Sequence, residues 1–346
     1  MNKEVLDDAS RPRRVGLRTR VHFSMYSNRA GFRLLQAQRR LARPFELRRR
    51  RRAAAELIAR VEDPLRIDPE LGYRWIEPGQ LPGIDALVES CTDAIHDARP
   101  HVERLVEAAP GRFRIAFDFL GDDRVNERPE LVDAMVSDEL LACASDYLGA
   151  VPVLRRVAIG YSPGQIDTDH AWAGSQLFHY DGEDDRQVKM FVLLTDVEDE
   201  RHGPLTFLSA AASRRVSRAL GDRPEGPIGS YMRAGPYTDE QVREHAAPEE
   251  FLTMTGKRGR VLLLDTCATL HQGSRVHHGH ERIVFMGVLQ RYHLVHATPY
   301  NWFDASRHEP GTVQRLALTP PDPRPRNFFF PDPLDPNAAT VRRGAG

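Results

Sequence analysis

In the stretch GSQLFHYDGEDDRQVKMFVLLTDV (residues 174–197), His179 and Asp181 stand two apart at the end of a short apolar run. On a β-strand residues i and i+2 project to the same side, so an imidazole and a carboxylate would share one face. A second imidazole from elsewhere would complete a two-histidine, one-carboxylate face for a divalent metal. Such a face leaves three positions open and marks non-heme Fe(II) oxygenases. The pair alone is a weak signal, because 14 histidines in 346 residues make chance His-x-Asp pairs common. A later segment, GRVLLLDTCATLHQGSRVHHGHERIVFMGVL (259–289), offers His271 after an apolar run and a turn, and Arg282 eleven residues further on. Arg282 opens the apolar run RIVFMGVL. A guanidinium at the head of a buried strand needs an anion, since burying an unpaired charge is costly, and a carboxylate matches its fork. A dicarboxylate holding the metal by one end would offer its other end to Arg282.

The residues SQLFHYD, LTDV and GP within 175–204, with His271 and Arg282 beyond them, resemble the core of the phytanoyl-CoA dioxygenase-like family of Fe(II)/2-oxoglutarate oxygenases. The resemblance covers about residues 150–292. It implies a double-stranded β-helix in which His179, Asp181 and His271 hold Fe(II), and Arg282 holds the far carboxylate of 2-oxoglutarate. It also implies consumption of O2, decarboxylation of 2-oxoglutarate to succinate, and hydroxylation of a substrate. Asp181 argues against halogenation, which needs a small residue there. Two departures stand out: Phe178 occupies the usual Trp position, and SAAAS (209–213) replaces the family's PGSH. Ser274, close to the distal histidine, is a candidate donor to 2-oxoglutarate. Lys189 either contacts 2-oxoglutarate or a substrate acid, or pairs with Asp184 or Asp185 at a strand edge. Tyr161 reads as a core aromatic. The HHGH cluster (277–280) reads as a solvated loop, and His293 and His296 as structural.

Elements that position these groups follow from periodicity. Helical spacing runs from Phe32 to about Val61 with a break at Pro44, and from Gly83 to about Ala108. A further helix spans Ser137 to Leu148, with Ser137 as its cap. From Val151 the texture changes to short apolar, β-branched runs separated by Gly, Pro and Asp, with no helix between consecutive runs. The expected fold is mainly β: an antiparallel jelly roll with N-terminal helices packed on it. Residues 209–255 read as a long polar insertion, a candidate lid over the substrate mouth. Phe328–Phe330, in a Pro-rich tail, are expected to grip the body. These features divide the chain into an Arg-rich helical extension (1–62), an oxygenase domain with a helical lead-in (63–305) and the tail (306–346).

Composition bounds the alternatives. A hydrophobic share of 41% with 28% charge describes a globular protein with a sizeable core. No apolar run is long enough to span a membrane, the first residues lack a secretory pattern, and three scattered cysteines read as reduced thiols of a cytoplasmic protein. The net charge of −1 conceals an asymmetry. Residues 1–60 hold sixteen Arg and one Lys against five acidic residues, a balance of +12 that leaves −13 for the rest. That arm either docks on its own acidic body or meets an anionic lipid surface or nucleic acid. Within it, Arg48–Arg52 are expected to be solvated or bound to something anionic. Two other functions compete with a hydroxylase of a small organic metabolite: a cupin-like metalloenzyme without 2-oxoglutarate, and a non-catalytic barrel with an anion-binding arm. The first gives Arg282 no purpose, and the second predicts an eroded triad.

Overall fold

Alternation along four runs dictates the larger of two antiparallel sheets in this computed structural model, which describes residues 29–107, 117–120, 124–164, 172, 174–182, 184, 186–221, 236–292, 301 and 303–320. The strands are β1 (Tyr73–Ile76), β2 (Phe117–Asp118), β3 (Val153–Pro163), β4 (Gln187–Leu193), β5 (Thr206–Phe207), β6 (Leu252–Thr253), β7 (Val261–Leu264), β8 (His271–Gln272) and β9 (Glu281–Gln290). The larger sheet has the order β1-β7-β4-β9-β3-β2, and a smaller one has the order β6-β5-β8. Every pairing is antiparallel.

The helices are α1 (Arg29–Ala42), α2 (Pro44–Arg60), α3 (Ile84–Glu107), α4 (Pro129–Met135), α5 (Asp138–Leu148), α6 (Ala210–Ala219), α7 (Asp239–Arg243) and α8 (Val313–Ala317). The break between α1 and α2 falls at Pro44 as expected, and Ser137 caps α5 by accepting from Leu140 N. Val157 and Ile159 on β3, Val188, Met190 and Val192 on β4, Leu263 on β7 and Phe285 on β9 are buried in one core with α2 to α5. Alternate residues of the same strands turn the other way: Ala158, Gly160 and Ser162 on β3, Lys189, Phe191 and Leu193 on β4, and Arg282, Val284 and Met286 on β9 line a cavity. A one-residue slip would exchange the two sets, so burial at about 1.5–3 kcal/mol per large apolar side chain fixes the register. Gly287 marks where α4 approaches β9 most closely, since a Cβ there would lie 2.1 Å from the Met135 sulfur.

Three sequence expectations change. Within Arg48–Arg52, Arg50 is completely buried rather than solvated. Its guanidinium donates to the carbonyls of Val151, Pro152, Leu316 and Thr319, pairs with Glu46 and lies 4.2 Å from the Tyr292 ring centroid. It thereby ties α2, the start of β3 and the end of α8 together. Burial pulls its pKa down to about 10, still charged at neutral pH. Arg50→Ala would strand four carbonyls and leave Glu46 with Arg49 alone, so we expect a loss of about 3–5 kcal/mol in urea unfolding, with no change for exposed Arg51→Ala. Next, the 209–255 stretch is not one loop. Ser209 caps α6, and Ala212 and Val216 bury against Phe178, Tyr180, Leu208 and Leu270. The buried face of α6 is built mainly from Ala and Ser, so it lacks the large apolar side chains by which helical spacing announces itself. Residues 222–235 of that stretch, with Asp185, His293, His296, Phe328–Phe330 and the first 28 residues, lie outside the described residues. Finally, His179 sits in an isolated bridge rather than on one of the nine strands.

The three cysteines are buried free thiols, and among the described residues no helix is long and apolar enough to cross a membrane.

Candidate metal centre

The backbone itself brings the two histidines together. His179 N donates to His271 O (3.0 Å) and His271 N to His179 O (3.1 Å), a reciprocal antiparallel pair that puts both side chains on one face. Their ring centroids are 4.3 Å apart. Each Nδ1 faces a main-chain carbonyl, Leu177 O at 2.9 Å from His179 and Thr269 O at 3.1 Å from His271. A carbonyl only accepts, so Nδ1 carries the proton and the Nε2 lone pair is left for a metal. Asp181, held by Asp181 N donating to Thr266 O (2.9 Å), places Oδ1 3.9 Å from both Nε2 atoms. The three donor atoms all lie within 4.8 Å of one another, and no other such group of His, Cys, Asp or Glu occurs among the described residues. His277, His278 and His280 are not part of it.

Electrostatics prepares these groups for a cation. Burial, then the neighbouring His179, pushes the His271 imidazole down to about 3, and burial lowers His179 too, so both are neutral at pH 7. Burial alone would raise Asp181, but the Lys189 charge and the two imidazoles hold it below the ordinary carboxylate range. The result is two neutral nitrogens and one carboxylate, the donor set that a divalent ion requires.

Lys189 reaches Asp181, a partner that the sequence reading did not single out. Its ammonium is 2.5 Å from Asp181 Oδ2, and Gln187 Nε2 donates to the same oxygen at 3.1 Å. Gln187 and Lys189 are two apart on β4 and therefore share the cavity face. The loop between Asp181 and β4 hid this register from the sequence, although the QVK spacing marks the two as neighbours. Together they engage Oδ2 and leave Oδ1 towards the histidines. Gln187 is itself fixed, donating to Thr266 Oγ1 (2.7 Å) and accepting from Gln290 Nε2 (3.0 Å). Behind it, Asp265 accepts from Tyr147 OH (2.7 Å) and Gln187 N (3.2 Å), and burial raises its carboxyl to about 6.

Arg282 enters the same cavity from the first turn-side residues of β9. Its Nη1 donates to Gly203 O (2.6 Å) and its Nη2 to Ser274 Oγ (2.7 Å), while the buried Nε has no partner among the described residues. None of its bonds among the described residues goes to a carboxylate, and burial pulls it down to about 10. Ser274 is thus brought to the guanidinium, with Ser162 Oγ 3.2 Å from its hydroxyl. Ser274 adopts a left-handed φ of 63°, unusual for a residue with a Cβ and a feature that clusters at ligand clamps. Gly203 at φ 62° is required, because a Cβ would come within 2.6 Å of the Arg275 backbone. Gly273 leaves room beside the guanidinium, whose Nη1 would lie 3.3 Å from a Cβ there.

The cavity has a volume of about 370 Å³, within the roughly 300–1,000 Å³ of small-ligand pockets. Leu193, Leu205, Met254, Val284 and Met286 make its wall apolar, and Arg156 and Asp118, 3.9 Å apart, add a polar patch that the sequence did not single out. Tyr161 faces the helices instead and packs on Phe119, as expected of a core aromatic. Arg275, the other arginine near the distal histidine, is already paired with Asp239 (2.7 Å) and Gln176 O, and stacks on Trp172.

No family model and no curated protein sequence matches the chain. Solved structures do. EctD from S. alaskensis with 2-oxoglutarate and 5-hydroxyectoine is 18% identical, over 73% of this chain and 93% of that one, with a TM-score of 0.45. HygX from Streptomyces hygroscopicus with nickel and 2-oxoglutarate bound is 16% identical, over 64% and 83%, with a TM-score of 0.38. The non-heme alpha-ketoglutarate-dependent carbocyclase SnoK from nogalamycin biosynthesis is 16% identical, over 70% and 88%, with a TM-score of 0.37.

Proposed function

We propose that the chain is an Fe(II)/2-oxoglutarate-dependent oxygenase of the cytoplasm that hydroxylates a small organic metabolite on a double-stranded β-helix. The carrying observation is one cavity that holds both the convergent His179, Asp181 and His271 donors and a buried guanidinium, Arg282, with an unpartnered Nε. These residues fit the two groups that the reading requires. His179 Nε2, His271 Nε2 and Asp181 Oδ1 would hold Fe(II), and Arg282 with Ser274 would hold the distal carboxylate of 2-oxoglutarate. When bound, the iron and 2-oxoglutarate supply the oxidising chemistry and activate O2, releasing succinate and carbon dioxide.

The chain's own residues orient and protect. The carbonyls of Leu177 and Thr269 fix both imidazole planes, and Lys189 with Gln187 leaves one carboxylate oxygen to the metal. The apolar wall excludes water from the open side of the triad. Arg156 and Asp118 line the same cavity and would face a substrate. On this reading residues 63–305 form the oxygenase body, preceded by the Arg-rich extension and followed by the Pro-rich tail.

Purified protein with Fe(II), ascorbate and 2-oxoglutarate should release succinate faster when its substrate is present in a metabolite panel. Metal-dependent turnover of a panel compound without consumption of 2-oxoglutarate would instead establish a metalloenzyme of the cupin-like kind. The buried Arg282 Nε, left without a partner, weighs against that alternative.

A further inference from the structure

Five large apolar side chains stand exposed among the described residues, and the three most exposed fall within one twelve-residue span. Leu34 and Leu41 on α1 are 60% and 78% exposed, and Phe45 at the start of α2 is 81% exposed, against about 40% for Leu71 and Leu105. Leu34 and Leu41 are one heptad apart and share a helix face, with Phe45 four residues further on, past the break. Arg33, Arg40, Arg48, Arg49, Arg51 and Arg52 are exposed around them. Residues 29–60 carry eleven Arg against two Glu, a balance of +9. One of those arginines, Arg50, is consumed inside the fold, and with Leu47, Ala54 and Leu57 it anchors the inner face of α2 to the body. The opposite face of α2, which carries Phe45, is therefore held outward.

We propose that α1 and the first turn of α2 form a peripheral membrane-binding surface that lies in the headgroup region of an anionic bilayer. A narrow Leu/Phe stripe set in an Arg-rich polar face, with few other apolar residues, is the pattern of helices that lie in an interface rather than cross it. The arginine stems can lie along the acyl boundary while their guanidinium groups reach lipid phosphates. Charge and chemistry exclude the other occupants. A second copy would bring another strongly positive arm against this one, at the cost of like-charge repulsion. Nucleic acid would satisfy the arginines and leave Leu34, Leu41 and Phe45 in water.

The full-length protein should co-sediment with vesicles of phosphatidylcholine containing roughly one-third phosphatidylglycerol, and about tenfold less with phosphatidylcholine alone, with added salt weakening the binding. The triple variant Leu34→Gln, Leu41→Gln, Phe45→Gln should lose about tenfold in partitioning. All three side chains are exposed, so the variant should fold and elute as the parent does. As a direct probe, Leu41→Cys labelled with a polarity-sensitive dye should shift to the blue on anionic vesicles, the three native thiols being buried. No binding to anionic vesicles, equal binding by the triple variant, or an unshifted dye would each overturn the proposal. So would a concentration-dependent dimer that the triple variant abolishes, because the stripe would then be a contact between copies.

Discussion

Replacement of His179, Asp181 or His271 by Ala should abolish Fe(II)-dependent turnover and weaken binding of Mn(II), a spin-active substitute, by well over the roughly 10–100-fold typical of losing an outer hydrogen-bond partner. The expectation rests on how few donors there are. Three atoms within 4.8 Å form the only such cluster among the described residues, and removing one leaves two. The fold should survive, because these side chains face the cavity and the pairing of His179 with His271 is made by backbone atoms. Asp181→Ala removes the carboxylate that Lys189 and Gln187 engage, a change confined to side chains. Circular dichroism and thermal unfolding of each variant separate loss of the site from loss of the fold. His277→Ala and His278→Ala serve as controls, since both residues belong to the connection between β8 and β9 and lie outside the cluster. Full activity in His271→Ala, with loss in either control, would mean that the distal ligand had been wrongly chosen.

How much of this is legible in the sequence depends on how local each cause is. The strands around the cavity declare themselves by alternation, and the cap of α5 by a serine three residues before the amide it accepts. The second histidine is marked by its distance to Arg282 and by a family resemblance, and in the folded chain it is the direct backbone partner of the first. What stays hidden is non-local. Arg50 sits in a run of five arginines, and nothing in that run says which one meets four carbonyls more than a hundred residues away. Lys189 bonds Asp181 across a loop whose register only the folded chain sets. The α6 helix reads as loop because Ala and Ser build its buried face, while Arg214, Arg215 and Arg218 make it polar.

Arg282→Ala should raise the 2-oxoglutarate requirement by about tenfold to a hundredfold while leaving Mn(II) binding nearly unchanged. A charge-assisted, hydrogen-bonded pair contributes roughly 1.5–3 kcal/mol net, and about 1.4 kcal/mol corresponds to each decade of affinity. The loss should fall on the co-substrate because the guanidinium is otherwise incompletely used. Gly203 O and Ser274 Oγ take one donor each, and Nε remains buried and unpartnered. Arg282→Lys should restore only part of the affinity, since an ammonium cannot hold two carboxylate oxygens in parallel. Gly273→Val tests the same group from the other side. Its side chain would press on Nη1, which a Cβ alone already approaches to 3.3 Å, so 2-oxoglutarate should bind more weakly although Arg282 is intact. A purely structural role for Arg282 would instead lower thermal stability and spare the ratio of 2-oxoglutarate to Mn(II) affinity. Arg275→Ala is the decisive comparison, because that residue already has Asp239 and Gln176 O as partners and a tryptophan beneath it. If Arg275→Ala weakened 2-oxoglutarate binding and Arg282→Ala did not, the anion would be held on the other side of β8, and the eleven-residue spacing from His271 would have pointed to the wrong cation.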